Sequence, residues 1–146
     1  MTDVAHMYDK APFHLVKGDW TWKSGVTTLY MALYTTGYTP AQSTDETYST
    51  SSELATAAGY TQGGAQMTPN DPVVTGSDPS AYTKLYSSDV TWATSTFTGV
   101  ATVVIYNNTG SKYLIGFMTY GTAKAAQGGN FTVQCPTNGW FDLATP

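Results

Sequence analysis

His6 and His14 stand eight residues apart, and in the first 20 residues only Asp3, Asp9 and Asp19 could join them as ligands. A metal ion needs several such donors converging, and no HExxH, CxxC or EF-hand spacing is present. Two solvated histidines and no metal site are therefore expected. Six of the seven remaining acids form two loose groups, Asp45, Glu46 and Glu53, then Asp71, Asp78 and Asp89. A glycosidase would need two carboxylates held across a cleft, and no flanking motif singles out a pair here. The first group instead suits the opening turns of a helix, where carboxylates complement the backbone dipole. No GxSxG elbow occurs, and "GYTQGG" and "QGGN" lack the lysine and spacing of a phosphate cradle. The chain is expected to be no enzyme, with no catalytic residue and no cofactor.

Aromatic residues are the chemistry left over: 11 Tyr and 4 Trp. In "LYMALYTTGYTP" the apolar Leu29, Met31 and Leu33 alternate with Tyr30, Ala32 and Tyr34, and Tyr38 follows. Either this strand is covered on both faces within the monomer, or a partner covers the tyrosines. Tyrosine is enriched at interfaces because it gives large area with few rotors and a polar tip. The candidate interface residues are Tyr30, Tyr34, Tyr38, Trp20 and Trp22. Stacking on sugar rings is a further use for such residues. Trp92, Trp140 and Phe117 are assigned to the core.

These side chains need elements to hold them. Residues 1–19 read as an N-terminal arm or capping segment, in which Phe13, Leu15 and Val16 form one apolar turn between Pro12 and Gly18. Residues 20–146 read as one β-sandwich domain. Ser43-x-x-Glu46 and Thr50-x-x-Glu53 have capping-box form, with Gly59 beyond, so the spacing predicts a short helix around 51–57. "GYTQGGAQMTP" predicts a short bent strand, "NDPVVTGSDPS" a loop, and "AYTKLYSSDVTW" one or two strands. "FTGVATVVIY" and "KYLIGFMTY" flank "NNTG" as a hairpin, the clearest local signal in the chain. "GTAKAAQGGN" reads as a loop, and "NFTVQC" and "GWFDLA" as a last pair around "PTNG". Seven or eight short strands close naturally as an antiparallel two-sheet sandwich or open barrel, mainly β with one short helix.

Composition agrees. Charged residues are 11% of the chain, less than half of the ordinary ~25%. All six cations are lysine, and the net charge is −4. Without arginine, and with its negative excess beyond residue 23, the chain should repel a polyanion, so no nucleic-acid partner is expected. Cys135 alternates with Phe131 and Val133 and reads as a small buried hydrophobe. No apolar leader and no run of about 20 apolar residues appears, so no membrane partner is expected and synthesis in a host cytoplasm is.

Four stretches read together resemble a known family: "VTTLYMALYTTGYTPAQSTDE", "GYTQGG", "SSDVTWATSTFTGVATVVIYNNTG" and "YLIGFMTYGTAKAAQGGNFTVQCPTNGWFDL". In order and spacing they are similar to small all-β virion proteins of tailed bacteriophages, encoded among head and neck genes. The likeness covers roughly residues 26–143. The N-terminal helix of that family looks shortened here, with Pro12 inside it, and residues 72–86 read as a longer loop. The resemblance implies a structural virion protein, of capsid-decoration or head-associated type, with no catalytic residue to carry over. Its implied partners are other virion proteins, a major capsid or neck protein, and copies of itself in a homo-oligomer. A neck, tail or host-glycan-binding component of the virion is the alternative.

Overall fold

The structure is a computed structural model, and it describes residues 3–77 and 81–144. Asp78, and with it the end of the loop expected at 70–80, lies outside the described residues. The chain folds mainly as β structure in two antiparallel sheets with one helix, consistent with a β-sandwich and without a closed barrel. In chain order the elements are β1 (Ala5–Met7), α1 (Ala11–Lys17), β2 (Leu29–Thr35), β3 (Ala65–Gln66), β4 (Val73–Thr75), β5 (Tyr82–Leu85), β6 (Val90–Asn107), β7 (Leu114–Val133) and β8 (Phe141–Ala144). The larger sheet runs β1-β7-β6-β2-β3 and the smaller β4-β5-β8.

The β6–β7 hairpin is the frame. Its turn follows "NNTG" as the sequence predicts, and its strands pair from Tyr106 opposite Leu114 to Val90 opposite Val133. The segment "GTAKAAQGGN", expected as a loop, is instead part of β7. Small and glycine-rich residues have low strand propensity, yet Ser95, Thr96 and Phe97 give them paired backbone at Gly129, Gln127 and Ala126. The low propensity shows as bulging: residues 120–123 of β7 lie between the pairs Thr102–Thr119 and Val100–Lys124.

β2 pairs with β6 on one side and β3 on the other. Both of its faces are covered: Leu29, Met31 and Leu33 are buried, and so are Ala32 and Tyr34. Of the two readings of this strand, coverage within the monomer holds for Tyr34. The cover is the segment expected as a helix at 51–57, which instead turns at Ser51 and Ser52 and then runs irregularly, with isolated bridges at Glu53 and Ala57. Glu53 bridges Tyr34, and the Leu54 N–H donates to the Leu33 carbonyl at 2.8 Å. Capping-box spacing is a local signal, and serine hydroxyls here bond local backbone instead, as Ser49 Oγ does with the Ser51 N–H.

The one helix lies at Ala11–Lys17, where Pro12 occupies the first turn and Gly18 closes it at φ 84. Its exposure inverts the expected pattern. Ala11 and His14 are buried, whereas Phe13 and Val16 point outward. Ahead of it β1 pairs with β7, Ala5 opposite Met118, so the described part of the N-terminal segment is tied into the large sheet.

"NDPVVTGSDPS", expected as a loop, contributes β4. "NFTVQC" and "GWFDLA" do not pair with each other. The first ends β7, and the second forms β8 against β5 in the smaller sheet. A close approach joins the two sheets: a Cβ at Gly116 of β7 would sit 2.1 Å from the Phe141 ring. Among the described residues no helix is long and apolar enough to cross a membrane.

Candidate functional site

Of the five candidate interface residues, three are inside the molecule. Trp20, Trp22 and Tyr34 are 2%, 4% and 2% exposed, so they offer no free surface to a partner. Each satisfies its polar atom internally. Trp20 Nε1 donates to the Ala11 carbonyl at 3.0 Å, Trp22 Nε1 to the Tyr86 carbonyl at 2.8 Å, and the Tyr34 hydroxyl to the Ser49 carbonyl. Buried tryptophan and tyrosine find such partners as a rule, because an unpaired donor in the core is costly. Tyr30 and Tyr38 are half-buried. Tyr30 tilts against Tyr106 at 6.2 Å. Of the residues assigned to the core, Trp92 and Trp140 are buried, while Phe117 is half-buried.

The structure does bring Tyr34 and Tyr38 together, with ring centroids 4.6 Å apart. They line a cleft of about 390 Å³ with Asp45, Thr47, Ser49, Ser51 and Ser52. The Tyr38 hydroxyl donates to Asp45 Oδ2 at 3.0 Å, and the Ala41 N–H donates to the same oxygen at 2.9 Å. The Tyr8 hydroxyl lies 2.7 Å from that of Tyr38. Burial pushes the Tyr38 phenol up to about 12, assisted by the Asp45 charge.

Next to this cleft sits a buried carboxylate that the sequence placed in a helix. Glu53 is 6% exposed. Its Oε1 accepts from the Tyr60 hydroxyl at 2.6 Å and the Gly63 N–H at 2.7 Å, and its Oε2 from the Tyr48 hydroxyl. The same carboxylate holds both phenols neutral: burial first, then the bond to Glu53, raises Tyr48 and Tyr60 well above the ordinary tyrosine range. Gly63 and Gly64 reach this position through left-handed turns. At Gly64 a Cβ would stand 1.9 Å from the Met31 carbonyl oxygen.

A third cluster joins α1 to the segment before the cleft. His14, expected to be solvated, is 3% exposed. Its Nδ1 is 2.7 Å from Asp19 Oδ2 and its Nε2 is 3.0 Å from Glu46 Oε1. Its ring stacks on Tyr113 at 3.6 Å and meets Phe13 edge-on. Lys10 pairs with Glu46 at 2.6 Å, and Lys17 with Asp19 at 3.3 Å. His14 above all, then Lys17, holds Asp19 below the usual carboxylate range; Lys10 and then His14 do the same for Glu46. Asp45 and Glu46, neighbours in sequence, thus belong to separate networks. His6 is exposed, its ring tilted against Phe117.

A larger cavity than the Tyr38 cleft, about 840 Å³, opens between β1 and the chain from Gln134 to Asp142, with Asp3, His6, Tyr120 and Cys135 on its walls. Cys135 is half-buried rather than enclosed, and burial pushes its thiol up, away from the reactive thiolate. Among the described residues no group of three or more His, Cys, Asp or Glu side chains is arranged to hold a metal ion.

The sequence missed His14 and Glu53 because burial of a polar side chain is decided by distant partners: Glu46 for the first, Tyr60 and Gly63 for the second. The fold and these clusters define an antiparallel β-sandwich whose tyrosines form internal hydrogen-bonded walls. No protein-family model, curated protein or solved structure matches the chain.

Proposed function

We propose that the chain is a non-enzymatic structural protein of a tailed-bacteriophage virion, of capsid-decoration or other head-associated type. Support for the virion setting is the resemblance over residues 26–143. Support for docking is one structural observation. Phe13 and Val16, three residues apart on one side of α1, are 61% and 88% exposed, and the helix carrying them is anchored through Ala11, His14 and Trp20. An apolar ridge on a fixed platform is a form that protein contacts use, and it replaces the tyrosines of β2 as the docking face. The partner is a capsid-shell or neck protein. Self-association into a homo-oligomer would use the outer edge of β4, where Val73 and Val74 are exposed.

The test is particle assembly with Phe13→Ser and Val16→Ser combined. Both side chains already lie in water, so the variant should fold with native circular dichroism yet fail to join heads. Normal incorporation would overturn the docking reading. The hydroxyl-lined cleft at Tyr38 and Asp45 favours a second reading, a host-glycan contact. That reading requires chemical-shift changes at Tyr38 on titration with a sugar panel.

A further inference from the structure

We infer that His14 is a proton-controlled latch between α1 and the segment carrying Glu46, closed when the imidazole is protonated. A neutral imidazole has one N–H and one lone pair. Here carboxylate oxygens, which are acceptors only, face both ring nitrogens, at 2.7 Å and 3.0 Å. Both contacts are hydrogen bonds only when both nitrogens carry protons. Loss of one proton sets a nitrogen lone pair of this ring, itself 3% exposed, against a carboxylate oxygen, an unpaired contact that is costly.

The geometry also says which contact yields. Asp19 lies five residues on in the same chain segment and makes the shorter contact, so the remaining proton stays on Nδ1. The contact to Glu46 is longer, and its partner is the more exposed carboxylate, so Nε2 lets go. The other groups around the ring do not replace it. Tyr113 stacks on its face, Phe13 meets it edge-on, Lys10 is engaged with the other oxygen of Glu46, and Lys17 with the same Asp19 Oδ2 that faces Nδ1. Lys10 and the Trp20–Ala11 bond keep the start of α1 pinned. Opening therefore loosens the middle of α1 against the segment carrying Glu46, while Asp19 keeps hold of Nδ1 and of the Asn107 amide. The consequence for docking rests on the reading proposed above; the latch itself rests on these contacts alone.

The test uses the isolated full chain, so its outcome is independent of particle assembly. Amide hydrogen exchange is compared at about pH 5.5 and about pH 9. At the lower value both carboxylates stay ionised, since their neighbours hold them below the usual range. After correction for intrinsic chemistry, amides of residues 14–18 and 42–47 should exchange about tenfold faster at the higher pH, the effect of losing one charge-assisted hydrogen bond. Amides of β2 and β6 should not change. Nitrogen NMR should show both ring nitrogens of His14 protonated in the slow-exchanging state and only Nδ1 in the fast one. Glu46→Gln supplies an amide that can accept from the imidazolium or donate to the neutral ring, so this variant should lose the pH dependence. His14→Gln should exchange fast at both values. Equal protection at both pH values in the native chain, or full pH dependence in Glu46→Gln, would overturn the latch, even if His14→Gln does not fold.

Discussion

Replacing Glu53 by alanine tests the claim that a buried carboxylate, and no helix, holds residues 48–63 against β2. The substitution leaves three donors without their acceptor: the hydroxyls of Tyr60 and Tyr48 and the Gly63 N–H. Tyr48 is half-exposed and can turn to water, whereas Tyr60 is 2% exposed and cannot. A buried unsatisfied donor costs about 1–3 kcal/mol; Tyr60 supplies one in full and the half-buried Gly63 a second in part. Relief from desolvating the charge offsets part of this, so the net loss should be about 3 kcal/mol, in line with removal of one partner from a buried charged network. For a chain of this size that lowers Tm by roughly 6–12 °C. Urea unfolding followed by tryptophan fluorescence reads it directly, since Trp92 packs 6.0 Å from the Tyr60 ring. Tyr60→Phe should cost less, about 2 kcal/mol, because it strands the Leu33 N–H that donates to the Tyr60 hydroxyl but leaves Glu53 two donors. The double variant should fall short of additivity by about 1 kcal/mol or more, since both changes break one bond. If Glu53→Ala costs under about 1 kcal/mol at unchanged m, or the pair is additive, the carboxylate does not organise this region. Glu53→Gln, which keeps one acceptor oxygen, gives an intermediate value if the alanine variant does not fold.

Alkaline titration should separate the tyrosines. Burial raises Tyr38 and Tyr120 to about 12, with Asp45 and Asp3 adding to it, and drives Tyr8, Tyr34 and Tyr60 higher still. Because the fold favours the neutral phenol, this stability is fully present below the unfolded value of about 10 and is lost as pH rises through 12. Phenolate absorbance should show a native step near 12 that shrinks in Tyr38→Phe; a native-state step near 10 that accounts for all the phenols would refute it. Among glycines, Gly64→Ala should destabilise far more than Gly99→Ala. Both have positive φ, costing roughly 1–2 kcal/mol for a side chain, but only at Gly64 would the Cβ strike backbone, while Gly99 has open space. Equal unfolding midpoints in urea would contradict that placement.

What the sequence determined by itself was what depends on near neighbours along the chain. Low charge, many hydroxyls and period-2 alternation dictate an antiparallel β protein, because alternation selects a strand with two distinct faces. The hairpin around "NNTG" was legible from two alternating runs and a glycine turn, and the turn at 11–17 from Pro12 and Gly18. Where signals and neighbours disagreed, tertiary structure decided. Residues 51–57 carry helix-start chemistry, but the backbone of Leu33 and the donors around Glu53 hold them in a turn and irregular chain instead. Residues 121–130 read as a loop, but β6 supplies a paired partner. Tyr34, Trp20 and Trp22 looked like surface anchors, because alternation shows which residues share a face and not what covers it. The cover came from segments 9 to 64 positions away, Ala11 over Trp20, Ser49 over Tyr34 and Tyr86 over Trp22. The same distance hid His14, whose burial depends on a carboxylate 32 positions further on. Long-range pairing between polar groups leaves no periodic trace in a sequence, so only the folded chain shows it.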